Sequence, residues 1–443
     1  MQRALVLAAL LATVLLHGGR AANQLQLRFQ WTSPEFVFAS EAARQASLAA
    51  GTYVPGSPFL LDVDVWSAGH DEKVLVTLPR LKPGTPATLA TVAVRPGAAV
   101  DSGPLLFPYP DWTWNHQGHC DAITSVFRVK IDPCGRLWVI DSGVVDIVTD
   151  FKRICPPQVL VFDVRSNKLV KRYRIPETDL EDESLLINIA VDIRDLDGKC
   201  RDAVAYIADV TENSLIVYDA NKSRSWRVNS NLFYPYPSAG FFTISGESFD
   251  LMDGLFGLAL GPIVRGDRTL YFHSLASYRE SWVRTSLLRN ESLFQNDVNS
   301  VARQFQESPG ERPSQTAATA MSEDAVLFFN LLSRNTLGCW NSRLPYTSSN
   351  LVQLVRDDEA LQFVSGMKIV RDRSGREVLW ALSCRFQRLM TGSFDPAEVN
   401  FRVLTAPVAD LVRGTNCGRA SLAEHAPRPA GAGGGYRPIA FPN

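Results

Sequence analysis

Residues 120–143 read CDAITSVFRVKIDPCGRLWVIDSG. Apolar and polar residues alternate from Thr124 to Asp132, a turn signal follows at Asp132-Pro133-Cys134-Gly135, and a second apolar run ends at Asp141. Alternation with a period of two marks a strand, Pro fixes φ at a turn, and Gly tolerates positive φ. The stretch therefore reads as a strand–turn–strand scaffold rather than a reactive centre, in spite of its two cysteines and three aspartates.

Its second strand has counterparts along the chain. VLVTLP (74–79), RLWVID (136–141), AYIAD (205–209), TLYFHS (269–274), VLFFN (326–330) and VLWALS (378–383) are all short aliphatic or aromatic runs, the composition of strands buried on both faces. The first ends in Pro79, the others in Asp141, Asp209, Ser274, Asn330 and Ser383, and successive ends lie between 53 and 68 residues apart. Further strands fill each interval. TSVFRVKID (124–132), QVLVFDV (158–164) and LVKRYRIP (169–176) surround the second run, and LINIAVDIR (186–194), SLIVYDA (214–220) and SRSWRV (223–228) surround the third. Four antiparallel strands repeated six times predict an all-β, six-bladed β-propeller. A pair of β-sandwich domains is the rival, but a period near 60 residues does not suit Greek-key strands.

Equivalent strands of different blades run the same way, so Asp141, Asp209, Ser274, Asn330 and Ser383 are expected on one rim of the disc. They form either a polar ring around a ligand pocket or a set of residues capping turns. Asp141 or Asp209 is the candidate general base if burial raises its pKa. Asp141, Asp209 and Asn330 also carry the oxygens a calcium site would use, although nothing in their spacing demands a metal, and no cofactor is expected. His116 and His119 form a His-x-x-His pair in WNHQGHCD, read as a surface loop rather than a metal site. His273 reads as a hydrogen-bonded core histidine. GLFGLALG (254–261) lacks phosphate-loop spacing and reads as an inner strand whose glycines let neighbouring blades approach at the crowded axis. Asp357-Asp358 and the acidic run Asp179–Glu183 read as solvated loops.

With 46% hydrophobic residues among 443, the chain can bury a large core. A formal charge of −1 gives no electrostatic reason to expect nucleic acid or an anionic membrane as a partner. Residues 1–22 carry Arg3, an apolar run from Ala4 to Leu16 and small residues up to Ala22, the layout of a secretory signal peptide cleaved near Ala21 or Ala22. The run is too short for the roughly 20 residues of a spanning helix. A secreted, extracellular propeller over 23–423 is expected, with sequons at Asn221 and Asn290 as glycosylation sites. Residues 424–443 are dominated by Gly, Pro and Ala and are expected to be disordered, with Tyr436 beside a glycine run. In an oxidising compartment most of the seven cysteines should pair, and the odd count leaves one over.

Beyond the repeat, CDAITSVFRVKIDPCGRLWVIDSG, CPPQVLVFDV, AYIADVTENSLIVYD, LYFHSLAS, LGCWNS and EVNFRV followed by GTNC together resemble the yellow/major royal jelly proteins of insects, from about Leu25 to Cys417. The resemblance implies a secreted six-bladed propeller. Its members are linked to pigmentation and hardening of cuticle or eggshell, some are credited with dopachrome conversion, and salivary members bind biogenic amines in the central cavity. It therefore implies a small aromatic ligand, catecholic or indolic, at the channel, with a dopachrome isomerase and a purely structural matrix protein as alternatives. Where amine-binding relatives carry Asn-Arg-Phe, this chain has Cys384-Arg385-Phe386. Phe386 keeps an aromatic wall, whereas Cys384 is only a weak donor; with Asn330 these are the candidate ligand-binding residues. Cys384 is also the cysteine outside the family positions and so the expected free thiol. The pairing favoured on this basis is Cys134–Cys155, Cys120–Cys200 and Cys339–Cys417, one of fifteen arrangements open to six cysteines. Extracellular matrix is the implied partner, and the tail is a candidate for cross-linking through Tyr436.

Overall fold

The computed structural model describes residues 24–418 apart from 69–70, 95–99, 198–199 and 296–297. The expected signal peptide and the tail with Tyr436 lie outside the described residues. Six antiparallel sheets ring a central axis as a six-bladed β-propeller. The innermost strands are Asp62–Ala68, Val126–Ile131, Leu186–Asp192, Leu255–Leu260, Thr319–Met321 and Phe363–Arg371. Each contacts the next, and the last contacts the first. The six buried runs singled out above are the second strands, Asp71–Thr77, Arg136–Asp141, Val204–Asp209, Thr269–Ser274, Val326–Leu331 and Glu377–Cys384. They are sandwiched between neighbouring blades, which is why they read as continuously apolar.

The opening hairpin shows how the local sequence sets the geometry. Asp132 Oδ1 accepts from the Cys134 and Arg136 amides at 2.9 and 3.0 Å, its Oδ2 holds Trp138 Nε1 at 2.7 Å, and Gly135 sits at φ +73°. Asp372 repeats the turn in blade 6, with Oδ1 on the Ser374 and Arg376 amides and Gly375 at φ +80°. The carboxylate supplies the acceptor that the turning backbone lacks.

The ring is closed by strand exchange. The outer strand of blade 6 comes from the N-terminus: Gln26–Trp31 pairs antiparallel with Phe401–Pro407 and also carries the short parallel strand Asp101–Ser102. Both ends of the chain thus share one sheet, and opening the disc requires breaking it.

The disulfides correct part of the expected pairing. Cys120 is joined to Cys155 and Cys134 to Cys200, while Cys339 is joined to Cys417 and Cys384 is free and buried. Cys134 and Cys200 lie in connections from a first to a second strand, on one face of the disc. Cys120 lies ahead of an inner strand and Cys155 follows a second strand, which puts both on the other face. Exchanging partners would ask a bond whose Cα atoms sit 5.3–6.5 Å apart to span a strand of six residues, roughly 20 Å. Cys134–Cys200 fastens blade 2 to blade 3, and Cys339–Cys417 fastens blade 5 to the segment that follows blade 6. Peptide mapping without reduction should recover these three pairs, with Cys384 labelled by maleimide only after denaturation. Converting Cys339 and Cys417 together to Ser should lower unfolding stability by about 2–4 kcal/mol in urea titration, because the bond closes a long loop.

Candidate functional site at the channel mouth

The inner strands are irregular where they begin. Pairing slips between Val126 and Val129, between Leu186 and Asn188, between Leu255 and Gly257, and between Val364 and Gly366. Such bulges free residues from the ladder and re-aim them. The residues freed in blades 2, 3, 4 and 6 include Arg128, Ile187, Phe256 and Ser365, and these four meet on the axis. Arg128 donates to the carbonyl oxygens of Ser365 at 2.9 Å and Ile187 at 3.5 Å, and its guanidinium stands 4.5 Å from the centroid of the Phe256 ring. Burial pulls its pKa down to about 10, and Asp62 of blade 1 opposes that shift. Asp62 is in turn held by Lys368 Nζ at 2.7 Å on both oxygens and by the Val129 amide at 3.1 Å. Gly366 makes that pair fit, since a Cβ there would come within 2.4 Å of Asp62 Oδ1.

Near this floor lie a cluster of aromatic rings and the carboxylate of Asp253. Asp253 precedes the inner strand Leu255–Leu260 and is half-buried. Burial pushes its carboxyl up to about 6, with the Arg128 charge pulling the other way. Phe386 packs on Phe363 at 4.9 Å and stands edge-on to Phe249 at 6.4 Å. Phe249 belongs to a two-stranded hairpin, Phe241–Ile244 with Glu247–Asp250, inserted between blades 3 and 4, and is stacked on Phe242 at 5.2 Å. Cys384 lies beside Arg128 as a neutral thiol, its pKa pushed up to about 12 by burial.

The expected polar rim exists, but its members are spent on the scaffold. Asp141 accepts from the amides of Thr124, Ser125 and Gly143 at 2.9, 2.8 and 3.2 Å and from Gln158 Nε2 at 3.1 Å. Asp209 accepts from the Leu185 amide at 2.9 Å and pairs with Arg227 at 3.2 Å. Asn330 accepts from the Val364 amide at 3.3 Å and donates to the Leu361 carbonyl at 3.4 Å. Ser274 donates to the carbonyls of Phe233 and Tyr234, and Ser383 is buried. These side chains tie strand ends to the segments that enter inner strands. Four bonds occupy the Asp141 carboxylate, and Asp209 and Asn330 are engaged in the scaffold through Leu185, Arg227, Val364 and Leu361.

His116 and His119 are exposed, and among the described residues no group of three or more His, Cys, Asp or Glu is placed to hold a metal. His273 is buried and bonded through Nδ1 to Glu280 at 3.1 Å, and Glu280 also meets Arg312 at 2.5 Å. Gly257 of GLFGLALG leaves room for that imidazole, since a Cβ would lie 2.1 Å from it. Gly257 thus makes room within its own blade, whereas a Cβ on Gly254 would come within 1.9 Å of Asn213 Oδ1 of blade 3, so the stretch also lets neighbouring blades approach. Asp357 and Asp358 are exposed, as are the acceptor residues Asn221 and Asn290. Surface hollows of about 400–570 Å³ lie on outer flanks, beside Trp112, Trp226 and Trp138, away from the axis. Arg128 and Asp253 escaped the sequence reading, although each left a trace: a cation in the middle of an otherwise largely apolar inner strand, and a carboxylate immediately before the glycine that leads into another.

A sequence profile described as Major royal jelly protein matches residues 124–417. Protein yellow of Drosophila madeirensis is 36% identical over 413 residues, covering 92% of this chain and 70% of that protein. The dopaminechrome tautomerase of Drosophila melanogaster is 33% identical over 406 residues, covering 90% of this chain and 85% of that protein. Among solved structures, virginiamycin B lyase from Staphylococcus aureus superposes with a TM-score of 0.39 at 11% identity, over 80% of this chain and 96% of that one. The match to the family over most of the chain, on the propeller its motifs require, places this protein in the yellow/major royal jelly protein family.

Proposed function

We propose that this protein is a secreted, pigment-forming tautomerase of the extracellular matrix, acting on a cyclised ortho-quinone (an aminochrome) at the channel mouth. The observation that carries the reading is the half-buried Asp253 carboxyl, pushed up to about 6 by burial against the opposing charge of Arg128, on the short segment that joins the Phe249 hairpin to the inner strand of Phe256. The relative named for dopaminechrome tautomerisation supports the same class. The three disulfides fit an oxidising compartment, and no described helix is long and apolar enough to cross a membrane.

The reaction is an isomerisation. Two carbon-bound protons leave the saturated five-membered ring of the aminochrome and two arrive on its quinone oxygens, with no net oxidation. A base poised near neutral pH is what the first proton transfer needs. Asp253 takes the proton, the electron pair moves through the conjugated ring toward a quinone oxygen, and the fixed guanidinium of Arg128 stabilises the charge developing there. Two of its five N–H donors are committed to carbonyls. The aromatic rings orient the flat substrate and exclude water.

A second reading, an amine-binding module, draws on the same two features, because a carboxylate beside aromatic faces also suits an alkylammonium on a ring. Titrating Asp253→Asn with dopaminechrome and with serotonin separates the two. Loss of turnover by about a hundredfold or more with binding retained supports the tautomerase. Loss of serotonin binding, in a protein that never exceeds the spontaneous rate, supports the module. Indifference to both ligands leaves a structural matrix protein.

Asp253 is the only titrating group assigned to the reaction, and Arg128, backed by Asp62 and Lys368, is the charge that faces it. kcat/KM should therefore rise with pH and level off above a midpoint near 6, after subtraction of the spontaneous reaction. A carboxyl whose folded pKa lies above its unfolded value of 3.8 costs stability as pH rises between the two. Asp253→Asn should thus be at least as stable as the parent at pH 7 in thermal unfolding, so that its lost turnover cannot come from misfolding. Arg128→Lys keeps the charge but loses the fork that spans two carbonyls. It should lower kcat at least tenfold and stability by about 1–3 kcal/mol.

A further inference from the structure

We infer that the hairpin Phe241–Asp250 is a hinged lid over the channel mouth, latched shut by Glu247. The inference rests on the channel mouth being the reactive site, and adds how a substrate reaches it. The hairpin forms a ladder with no blade, its two strands pairing only with each other, and its base is held where Gln315 of blade 5 donates to the carbonyls of Ala239 and Phe241 at 2.9 Å. It springs from the connection between blades 3 and 4, yet its holding contacts are on blades 5 and 6. Asn335 Nδ2 of blade 5 donates to Ser245 Oγ at 3.1 Å. The Glu247 carboxylate accepts from Thr391 Oγ1 at 2.8 Å and Ser393 Oγ at 2.7 Å, at the end of the helix that begins with Phe386. Phe242, Ile244 and Phe249 are buried beneath it, whereas Phe241 on its outer face is 59% exposed.

The hairpin is built to move as one piece. Its tip is a two-residue turn with Ser245 at φ +51° and Gly246 at φ +86°, the left-handed pair that matches strand twist and keeps a short hairpin stiff. Its base is pinched where Gly240 admits Met252, whose Sδ would lie 2.2 Å from a Cβ at that position. The three residues from Leu251 to Asp253 then lead straight into the inner strand. Lifting the lid would uncover Phe386 and Asp253 together without disturbing a blade. With the lid down, Phe249, backed by Phe242, stands edge-on to Phe386, and Arg128 is buried. The Glu247 latch consists of solvent-exposed bonds to one carboxylate, which break more readily than the part-buried Asn335–Ser245 bond and the packing of Phe242 and Ile244 beneath the hairpin.

Hydrogen exchange on the full secreted protein tests the lid without reference to turnover. Glu247→Ala should speed exchange of the Phe241–Asp250 amides roughly tenfold while the inner-strand amides stay unchanged; unchanged hairpin amides, or a change spread over all blades, overturns it. The access role is read in Ser245→Cys/Asn335→Cys, whose oxidation is verified by mass. Dopaminechrome turnover should fall at least tenfold when the tip is bonded to blade 5 and recover on reduction of that bond, with each single-cysteine variant unaffected; undiminished turnover in the oxidised form overturns the gate. If Asp253→Asn keeps full turnover, the catalytic reading fails, and the exchange result still decides whether the lid opens.

Discussion

Arg128 is the constraint around which the channel is arranged. A guanidinium cannot be left bare in a protein interior, where stripping water from a charge costs several kcal/mol. Here one cation from blade 2 is met by carbonyls of blades 3 and 6, a ring of blade 4 and the charge of Asp62 in blade 1. Regular inner strands would have committed those carbonyls to their own ladders. The bulges release them, so the irregularity of four blades and the burial of one charge are two sides of one arrangement. The channel is thereby closed partway by a rigid cationic floor, and whatever happens at the mouth happens against it.

The same logic of joining blades through buried polar groups recurs away from the axis. His273, Glu280, Arg312 and Tyr346 form one buried network, in which Arg312 also donates to the Tyr346 hydroxyl at 3.1 Å. It ties the second strand of blade 4 to the loop beyond the third strand of blade 5. Asp192 does similar work on the opposite face, gathering Arg194, Arg268 and Arg289 at 2.9–3.2 Å. Because Asp192 and Glu280 each gather partners from more than one blade, they fix the angular order of the blades as well as adding to stability. The strand exchange in blade 6 and the disulfides from Cys134 and Cys339 complete the lock by covalent and chain connectivity.

Seen from this frame, the carboxylates divide by neighbourhood rather than by residue type. Asp141 and Asp253 are both drawn from solvent at the mouth-side face, and burial raises both. Asp141 is surrounded by backbone amides and completes the turn into Val126–Ile131. Asp253 is acted on by burial and by the charge of Arg128 instead, which is why the proposed base is Asp253 rather than Asp141.

Much of the architecture was legible in the chain. The six apolar runs with their polar ends, and the Asp-x-x-Gly turns at Asp132 and Asp372, are local patterns, because strand burial and turn chemistry are set by residues near in sequence. The rim of Asp141, Asp209, Ser274, Asn330 and Ser383 was legible as a place, and its role was not, since filling an acceptor depends on which amides arrive from elsewhere. The partners of Cys120 and Cys134 required knowing which face of the disc each connection occupies. The meeting of Arg128 with Ser365, 237 residues away, and the reach of Glu247 to Thr391 across 144 residues have no local signature. By itself the sequence determined the blades, their number and the family, because a repeated hydrophobic pattern can bury itself only by stacking. Only the tertiary structure decided that Arg128 would meet Ser365, Ile187, Phe256 and Asp62 and that Asp253 would come under its charge, because closing the ring is what brings residues of five blades to one point.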